Sequence, residues 1–485
     1  MQNRGNGYLG LDIGGTRVKA AVFDSKGAVR SFSRHKFVSK TSKEGYIEIP
    51  ITDIHKATQY AVKEAAKKAD IPIKAISISS QGETFVTIDK NGNPLHNAIL
   101  WYDSRAIKEA KELEEKISKK GKKNKILPIL TVPKILWLKK HKKLSKVFKY
   151  LLLPDYFSWI LTGIAAYDPN TAESTGAYDS QKNCYDKDIL DAAAIEECQL
   201  STVLPTGKAI GKILPRIAKE WNLSKDTILV SGTNDQYAGA LGAGNYKKGI
   251  VSITIGTCLA MITLLDKKVK LPSGMFMGNF PIEPYYFLLA YAKTSGVVID
   301  WFCDNIANSN SFKVLINEAS KIPIGSNSLF AIPHFDGIVS PEIYPNMKGA
   351  FIGLSLQHSR AELFRSLLES FAFIIYENLK VIEKYSKITN IRVIGGGAKN
   401  DLFLQITADT TGKTIERPSV VEAASLGAAM IAAVGTGDFK SLKESSKELY
   451  HCKDKFYPKK NNKVFYEKIY NKYQKAIKLL KEFYN

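Results

Sequence analysis

A strand–glycine turn–strand unit that occurs twice constrains the fold of this chain more than any other feature. Residues 9–23 hold two apolar runs on either side of the turn 14–16, and residues 250–264 repeat that order around the turn 256–257. Short apolar runs bounded by a glycine turn are typical of buried strands in a hairpin. Two such units, each heading one half of the chain, predict a duplicated architecture with a cleft between two domains.

Strands and helices alternate along the rest of the chain, and this alternation predicts an α/β fold. The predicted strands lie at 75–79, 85–88, 228–230, 329–332 and 391–394, and the predicted helices at 52–69, 104–120, 133–149, 186–198, 211–221, 293–307, 312–320, 360–384, 401–411, 422–435 and 457–484.

The composition excludes several classes of protein. The 485 residues are 45% hydrophobic and 24% charged, which gives enough apolar mass for two large folded domains and too much for a disordered chain. The five cysteines are scattered without a Cys-x-x-Cys pair, so we expect no disulfide framework, no zinc site and a reducing compartment. Because no apolar run is long enough to span a bilayer and no signal peptide is evident, we expect a cytoplasmic protein with no membrane partner.

The net charge of +22 comes from 69 lysines and arginines against 47 acidic residues. A basic surface attracts nucleic acids, anionic membranes or anionic substrates. Lysine dominates the basic stretches 116–149 and 439–485, without the arginine and aromatic pattern of RNA-binding modules. We therefore expect solvated lysine-rich surfaces and no nucleic-acid partner.

The turn after the first strand has the residues of a phosphate site. Gly14 and Gly15 leave backbone N–H groups accessible to phosphate oxygens. Asp12 can hold Mg²⁺ through water, and the Thr16 hydroxyl or the Lys19 ammonium can reach a terminal phosphate. An ordinary hairpin turn with a capping aspartate is the alternative. A matching turn at the head of the second half favours a phosphate clamp.

A third glycine-rich segment, 395–400, lies directly between a predicted strand and a predicted helix. That order lets a flat nucleotide lie against bare backbone. The segment does not have the glycine spacing of a dinucleotide fold or the Gly-Lys-Ser/Thr of a P-loop. The alternative is a glycine-rich connection without a ligand.

Four segments together resemble one family of enzymes in their order and spacing. They are 349–369, Lys134 with Trp137, 232–236 and 422–429. The chain resembles the FGGY carbohydrate kinases, within the actin/Hsp70/hexokinase-like ATPase superfamily, over essentially its whole length. One departure is Ile129, which stands where a small or aromatic residue is usual.

The resemblance implies two actin-like (ribonuclease H-like) domains with sugar and nucleotide in the cleft between them. Residues 1–244 would be the N-terminal domain, which binds the sugar and supplies the catalytic base. Residues 245–485 would be the C-terminal, nucleotide-binding domain. The expected partners are a small sugar and ATP, with Mg²⁺ as the metal, and a homodimer is left open.

The resemblance also assigns roles to single residues. Asp235 would be the general base toward the sugar hydroxyl, and Asp12 would support Mg²⁺. A helix cap is the alternative for Asp235. The expected nucleotide-binding residues are Gly14, Gly15, Thr16, Lys19, Gly256, Thr257, Gly396, Gly397, Ala398 and Asn400.

Substrate choice depends on two further segments. The expected substrate-binding residues are Gln81, Gly82, Glu83, Trp101, Asp103, Asp235 and Gln236. Segment 101–105 resembles that of the members that phosphorylate xylulose, whereas the Gln-x-Glu-Thr pattern of 81–84 is nearer to glycerol kinases. The arginine and tyrosine that bind glycerol would fall on Gly82 and Ile129, which leaves room for a larger substrate. The alternatives are core packing for Trp101 and a surface turn for Glu83.

These features favour an ATP-dependent kinase of a ketose such as D-xylulose. A glycerol or polyol kinase of the same family is the first alternative. An actin- or Hsp70-like ATPase without a sugar substrate is the alternative from another class. The segments around Lys134 and 349–369 oppose the latter, and no separate peptide-binding β-domain follows the ATPase core.

Overall fold

The computed structural model describes residues 5–121, 125–142, 144, 146–307 and 311–484. The chain divides into two compact units, Met1–Gly242 with Ala424–Leu449, and Ala243–Ala423 with Tyr450–Asn485. In the part of the chain just defined, no helix combines the length and the hydropathy that a membrane span requires.

The strands of the described residues carry the labels used below. They are β1 Gly7–Ile13, β2 Arg17–Phe23, β3 Val29–Lys36, β4 Lys40–Thr41, β5 Ile47–Ile49, β6 Ile73–Ser80, β7 Phe85–Ile88, β8 Ala98–Ile99, β9 Lys149–Leu152, β10 Ala166–Tyr167, β11 Tyr178–Asp179, β12 Cys184–Tyr185, β13 Thr202–Val203, β14 Ala209–Lys212, β15 Ile228–Asn234, β16 Ile250–Ile255, β17 Leu259–Leu265, β18 Met275–Asn279, β19 Tyr286–Ala292, β20 Phe330–Ile332, β21 Ala350–Ile352, β22 Asn390–Gly395, β23 Ile415–Pro418 and β24 Cys452–Phe456.

The helices are labelled in the same way. They are α1 Ile51–Lys68, α2 Ile107–Ser118, α3 Thr131–His141, α4 Leu153–Thr162, α5 Pro169–Glu173, α6 Lys187–Ala192, α7 Pro215–Trp221, α8 Asp235–Gly242, α9 Gly296–Phe302, α10 Phe312–Ser320, α11 Arg360–Ile382, α12 Asp401–Thr411, α13 Ala423–Gly435, α14 Leu442–Leu449 and α15 Lys460–Tyr484.

The first unit is built on a mixed sheet with the strand order β14-β15-β6-β1-β2-β3. The hairpin β1–β2 is antiparallel, whereas β6 runs parallel to β1 on one side and to β15 on the other. A second sheet has the order β4-β5-β8-β7-β9. The carboxyl ends of β1, β6 and β15 therefore lie along one edge of the main sheet.

The second unit repeats this arrangement. Its sheet has the order β18-β19-β17-β16-β22-β23-β24, with β16 antiparallel to β17 and parallel to β22. Strands β2-β1-β6-β15 of the first unit correspond in order and direction to β17-β16-β22-β23 of the second, because β22 and β23 are also parallel. The two hairpins predicted from the duplicated sequence unit are thus confirmed.

Three predicted helices were wrong at one end. The helix predicted over 186–198 ends at Ala192. The helix predicted over 133–149 ends at His141, and Lys149–Leu152 forms β9 against β7. The helix predicted over 211–221 begins at Pro215, after β14 has paired with β15. Proline favours the first turn of a helix because it has no N–H to donate, so Pro215 starts α7 rather than lying within it.

Helix α13 packs in the first unit although the chain reaches it through the second. A Cβ added to Gly10 of β1 would lie 1.7 Å from the carbonyl oxygen of Ser425, and one added to Gly427 would lie 1.8 Å from that of Ala238. Glycines on both β1 and α13 therefore let two backbones touch. This contact explains why the compact units differ from the continuous segments 1–244 and 245–485.

We expect Gly10→Ala to destabilise the protein by about 3 kcal/mol or more, because the new methyl group would have to displace backbone. The measurement is the free energy of unfolding in denaturant. Gly14→Ala is the matched control in the same hairpin, since its Cβ would lie 3.5 Å from the nearest atom, an ordinary contact. Equal unfolding free energies for the two variants would contradict this account of the packing.

Candidate active site

A row of polar side chains crosses the carboxyl ends of three adjacent strands in the first unit. Asp12 of β1 is in register with Ser79 of β6, and Ser79 is in register with Thr233 of β15. The Ser79 hydroxyl lies 3.4 Å from Asp12 Oδ1. The Thr233 hydroxyl is buried and forms no hydrogen bond with any described residue. Ligands of open α/β sheets bind outside the carboxyl ends of parallel strands, so this row marks a candidate site.

The turn that follows β1 borders the row. The Gly14 N–H donates to the Arg17 carbonyl at 3.0 Å, which closes the turn. Thr16 is exposed, and Lys19 Nζ lies 3.6 Å from Asp12 Oδ2. The structure therefore brings together the residues of this turn that were predicted to bind phosphate.

The loop after β6 supplies an amide with unused hydrogen-bonding capacity. The Gln81 N–H donates to the Ile13 carbonyl at 3.1 Å, which fixes the loop beside β1. The side chain of Gln81 is buried, and both its amide oxygen and its amide nitrogen form no hydrogen bond with the residues described here. Because buried polar atoms are nearly always hydrogen-bonded, these two atoms indicate a place for a polar ligand.

Asp235 is the first residue of α8, at the end of β15. The Gln236 N–H donates to Asn234 Oδ1 at 2.9 Å, so Asn234 caps the start of this helix. Burial raises the pKa of the Asp235 carboxyl to about 7, and the charges of Asp12 and Glu83 add to that rise. Asp235 is thus a carboxyl that changes protonation near neutral pH, which is suited to a general base.

Glu83 lies next to the same cluster. Burial raises the pKa of its carboxyl, while the charge of Lys134 and a hydrogen bond from Ser174 oppose that rise. Lys134 is fully buried on α3, and its ammonium donates to the carbonyls of Leu100 at 2.8 Å and Trp101 at 2.9 Å. Burial lowers the pKa of Lys134 to about 7. The surface-turn alternative for Glu83 does not fit this environment.

The segment that carries Trp101 is held by several groups. The Trp101 N–H donates to the Thr84 hydroxyl at 3.0 Å, and the indole ring is partly exposed. Trp101 therefore lies beside the loop of Glu83 with an accessible ring. The hydrogen bond from the Trp101 backbone N–H to Thr84, and those from Lys134 to the carbonyls of Leu100 and Trp101, hold this segment beside the 81–84 loop.

Asp103 has a different environment from the one expected of a substrate ligand. Its buried carboxylate accepts hydrogen bonds from Arg105 and from the Ile47 N–H, and these lower its pKa although burial opposes them. The Arg105 guanidinium packs against the rings of Tyr46 and Trp137, 4.4 and 4.8 Å from their centres. Asp103 thus positions the Trp101 segment through Arg105, and the structure does not bring its carboxylate to the polar cluster.

The second unit has two glycine turns with exposed backbone, at 256–257 and 395–397. The first of these turns is closed by backbone hydrogen bonds. The Gly256 N–H donates to the Cys258 carbonyl, and the N–H groups of Ser295 and Gly296 donate to the carbonyls of Thr257 and Gly256. Gly256 and Thr257 are exposed, and the Ser295 hydroxyl is buried without a hydrogen bond to described residues. The segment 294–296, which sequence reasoning did not single out, therefore shapes this turn.

The glycines after β22 do not all have the same role. Gly395 has a φ of +79°. A Cβ added to Gly395 or to Gly397 would lie 2.7 Å or less from an atom of Ile255. At Gly396 the nearest atom would be 3.8 Å away, and this residue is exposed. Packing on β16 thus requires Gly395 and Gly397, while Gly396 presents open backbone.

The last two residues predicted in this segment are buried. Ala398 has no exposed surface, and the Asn400 side chain accepts the Phe403 N–H at 3.1 Å, which caps α12. Because β16 and β22 pair from Ile250↔Asn390 to Ile255↔Gly395, the turns 256–257 and 395–397 lie at the same edge of the sheet. The second unit therefore gathers its predicted nucleotide residues at one edge, and three of them, Gly397, Ala398 and Asn400, have structural positions.

The segment 349–369 stabilises an unusual turn rather than supplying a reactive group. Residues 325–328 all have positive φ, from +49° to +84°. Glu369 accepts hydrogen bonds from the Gly325 N–H and the Ser326 hydroxyl, both at 3.0 Å, and Glu362 accepts one from Asn327 at 3.3 Å. A left-handed turn of non-glycine residues is costly, and these carboxylates offset the cost.

The residues of the first unit fit a magnesium ion. Asp12 is buried, and its charge raises the pKa of the Asp235 carboxyl, so a nearby divalent cation would relieve the repulsion between them. No group of three or more His, Cys, Asp or Glu side chains suited to a metal occurs among the residues that the structure describes. Mg²⁺ commonly uses one or two carboxylates together with water and phosphate oxygens, so this donor set is compatible with it.

Comparisons with known proteins match almost the whole chain. The model of the N-terminal domain of the FGGY family of carbohydrate kinases matches residues 7–242, and the model of the C-terminal domain matches residues 251–436. A xylulose kinase of Staphylococcus epidermidis is 28% identical over 481 residues, covering 98% of this chain and 97% of the relative. An L-xylulose/3-keto-L-gulonate kinase of Escherichia coli is 26% identical, covering 98% of both chains.

A solved structure shows the same fold. The ligand-bound xylulose kinase from Lactobacillus acidophilus superposes with a TM-score of 0.86 at 24% identity, covering 99% of each chain. The expected actin-like fold of two domains is therefore confirmed.

We expect Lys134→Met to lower the free energy of unfolding by about 1–3 kcal/mol, because two buried carbonyls lose their donor. The matched control is Lys140→Met on the same helix. Lys140 is exposed and pairs with Glu112, and surface pairs contribute about 0–1 kcal/mol. Denaturant unfolding of both variants measures the difference. A Lys134→Met protein as stable as the control would contradict the structural role of these contacts.

Proposed function

The chain belongs to the FGGY family of carbohydrate kinases, and on that basis we propose that it phosphorylates a small ketose with ATP, D-xylulose being the first candidate. The observation that carries the proposal is the Asp235 carboxyl, whose pKa is raised to about 7 beside Asp12 and Glu83. The full-length similarity to xylulose kinases supports the choice of ketose.

In this proposal Asp235 is the general base. A sugar hydroxyl gives its proton to the Asp235 carboxylate as its oxygen bonds to the γ-phosphorus, and the bond from phosphorus to the bridging oxygen breaks to release ADP. A base with a pKa near the working pH is effective because much of it is ionised and it still holds the proton well. Phosphoryl transfer needs mainly positioning and charge stabilisation beyond this proton acceptor.

We assign the sugar to the groups around the 81–83 loop. The unused amide atoms of Gln81 and the carboxylate of Glu83 are suited to sugar hydroxyls, and the partly exposed ring of Trp101 is suited to an apolar face of the carbon chain. Gln236, next to the base, completes this set. Asp103 has a positioning role in place of direct contact, because Arg105 occupies its carboxylate.

We assign phosphate binding to the glycine turns, taking each unit by itself. In the first unit, Gly14, Gly15, Thr16 and Lys19 would bind phosphate oxygens. In the second unit, the nucleotide-binding residues would be Gly256, Thr257 and Gly396. Gly397, Ala398 and Asn400 shape the latter turn. Mg²⁺, held by Asp12 directly or through water, would supply charge neutralisation for the phosphates.

The environment of Gly82 favours a ketose over glycerol. A Cβ at this position would lie 2.9 Å from Ser174 Oγ and 3.2 Å from Asn234 Nδ2. The arginine that binds glycerol in the glycerol-kinase group would fall here, and already its Cβ would crowd the side chains of Ser174 and Asn234. A polyol kinase of glycerol type is therefore the weaker alternative.

A panel assay tests the proposed function. Purified protein with ATP and Mg²⁺ is given D-xylulose, L-xylulose, D-ribulose, glycerol and erythritol in turn, and ADP release is measured. We expect a ketose to be the best substrate by at least about 10-fold in kcat/KM over glycerol, a discrimination of about 1.4 kcal/mol. A preference for glycerol would select the alternative, and no response to any of them would refute the proposal.

Asp235→Asn tests the base. The amide keeps the shape of the side chain but cannot accept the proton, so we expect kcat to fall at least ~10²-fold with near-normal ATP and sugar binding and a melting temperature within a few degrees of the original. Asp226→Asn, an exposed aspartate of the same unit, is the control and should keep full activity. A fully active Asp235→Asn enzyme would remove the base assignment.

A further inference from the structure

Helix α15 belongs to the second unit and is fixed there through one of its faces. The buried side chains of this face recur every three or four residues, and they are Tyr466, Tyr470, Tyr473 and Ile477. The Arg365 guanidinium of α11 donates to the Tyr466 hydroxyl at 2.9 Å, and that hydroxyl donates to Glu369 Oε1 at 3.1 Å. These contacts fix the orientation of α15, so its other side faces away from the core of this unit.

That other side carries a row of side chains that mixes apolar and basic residues. Its members follow one another at intervals of three or four residues, which places them on one face of a helix. We call this row the outer stripe, and it consists of Phe465, Lys468, Lys472, Lys475, Leu479 and Phe483. All six are exposed, and the exposed fractions of Phe465, Leu479 and Phe483 are 59%, 66% and 78%. Exposed apolar side chains that share one face mark an interaction surface, whereas scattered ones do not.

The charge of the outer stripe indicates the sign of its partner. Helix α15 has seven lysines against two glutamates, and the stripe itself contains no acidic residue, although Glu482 borders it. Among the residues that the structure describes, none forms an ion pair with Lys468, Lys472 or Lys475. A row of positive charges without neighbouring carboxylates favours an anionic partner.

The mixture of side chains decides between kinds of partner. A second copy packed on the same stripe would bring the lysines of both copies together, and like charges across an interface are costly. The phosphates of a nucleic-acid duplex would pair with the lysines but would offer no apolar surface to Leu479 and Phe483. The surface of an anionic bilayer offers both negative headgroups and the hydrocarbon below them.

We propose that the outer stripe binds the surface of an anionic lipid bilayer, with α15 lying parallel to that surface. The lysine ammonium groups contact the headgroups, while Phe465, Leu479 and Phe483 insert at the boundary with the acyl chains. The expectation of no membrane partner was based on the lack of a spanning segment and of a signal peptide, and a peripheral helix needs neither. No residue of the stripe belongs to the candidate active site, so this surface is independent of the proposed function.

Sedimentation with lipid vesicles tests the proposal. The purified protein is mixed with vesicles of phosphatidylcholine alone, or of phosphatidylcholine and phosphatidylglycerol in equal parts, and the sedimented fraction gives the partition coefficient. We expect binding to the anionic vesicles to be at least ~10-fold stronger than to the neutral ones. Binding should weaken as the salt concentration is raised, because salt screens exposed charges.

Substitutions in the outer stripe test its two components separately. The triple variant Lys468→Gln, Lys472→Gln and Lys475→Gln should bind anionic vesicles at least ~10-fold more weakly, because three charges are lost. The double variant Leu479→Gln and Phe483→Gln should also bind at least ~10-fold more weakly, because two large apolar side chains no longer insert. Glutamine is a good helix former, so exposed positions of α15 tolerate it.

Matched control variants carry the same changes elsewhere in the second unit. Lys313→Gln, Lys321→Gln and Lys384→Gln together remove three charges from exposed positions, and Val314→Gln with Leu356→Gln removes two exposed apolar side chains. Both controls should bind anionic vesicles like the unmodified protein. Kinase activity should be the same in the stripe variants and the controls.

The outcomes decide whether the outer stripe binds lipid. Equal binding to both kinds of vesicle, no binding, or equal losses in the stripe and control variants would overturn the proposal. Without vesicle binding, a dimer that the stripe variants dissociate in sedimentation velocity, or stripe-dependent binding of duplex DNA, would assign the surface to another partner and overturn it as well. Should a stripe variant fail to fold, the comparison of the two lipids with the unmodified protein still decides.

Discussion

The parallel pairing of β6 between β1 and β15 is the constraint on which the candidate site depends. It fixes Asp12, Ser79 and Thr233 in one row and places Asp235 one step beyond the end of β15. Gly232 permits the close pairing of β15 with β6, since a Cβ at this position would lie 1.8 Å from the Ile78 carbonyl oxygen. A shift of one residue in this register would turn the row toward the opposite face of the sheet.

The same arrangement concentrates negative charge, and the protein offsets this only in part. Lys19 lies near Asp12, and the charge of Lys134 acts on Glu83. Asp235 nevertheless keeps a raised pKa, so its proton is bound more tightly in the folded protein than in the unfolded chain. Such a group stabilises the fold least when it is ionised, which is the state that a base needs. In the proposed role of Asp235, this loss of stability accompanies a carboxyl whose pKa is matched to proton transfer.

The two hairpins and the positions of Asp12 and Asp235 could be predicted from the sequence, because the patterns that indicate them are local. The two hairpins follow from apolar runs around glycine turns. Asp12 lies near the end of one predicted strand, and Asp235 lies shortly after another. Asp103 could not be placed in this way, since its partners include Ile47 and, through Arg105, the rings of Tyr46 and Trp137. Those contacts join distant parts of the chain, and no spacing in the sequence indicates them.

The contacts of Gly82 show how packing and electrostatics are linked here. Because Gly82 has no Cβ, the side chain of Ser174 approaches this loop closely and hydrogen-bonds to Glu83. A larger residue would push the end of α5 away and separate these groups. An arginine at 82 would also add a positive charge beside Glu83, so the glycine affects both the packing and the charge of this loop. The close packing of α5 against the 81–83 loop is therefore a consequence of the glycine at position 82.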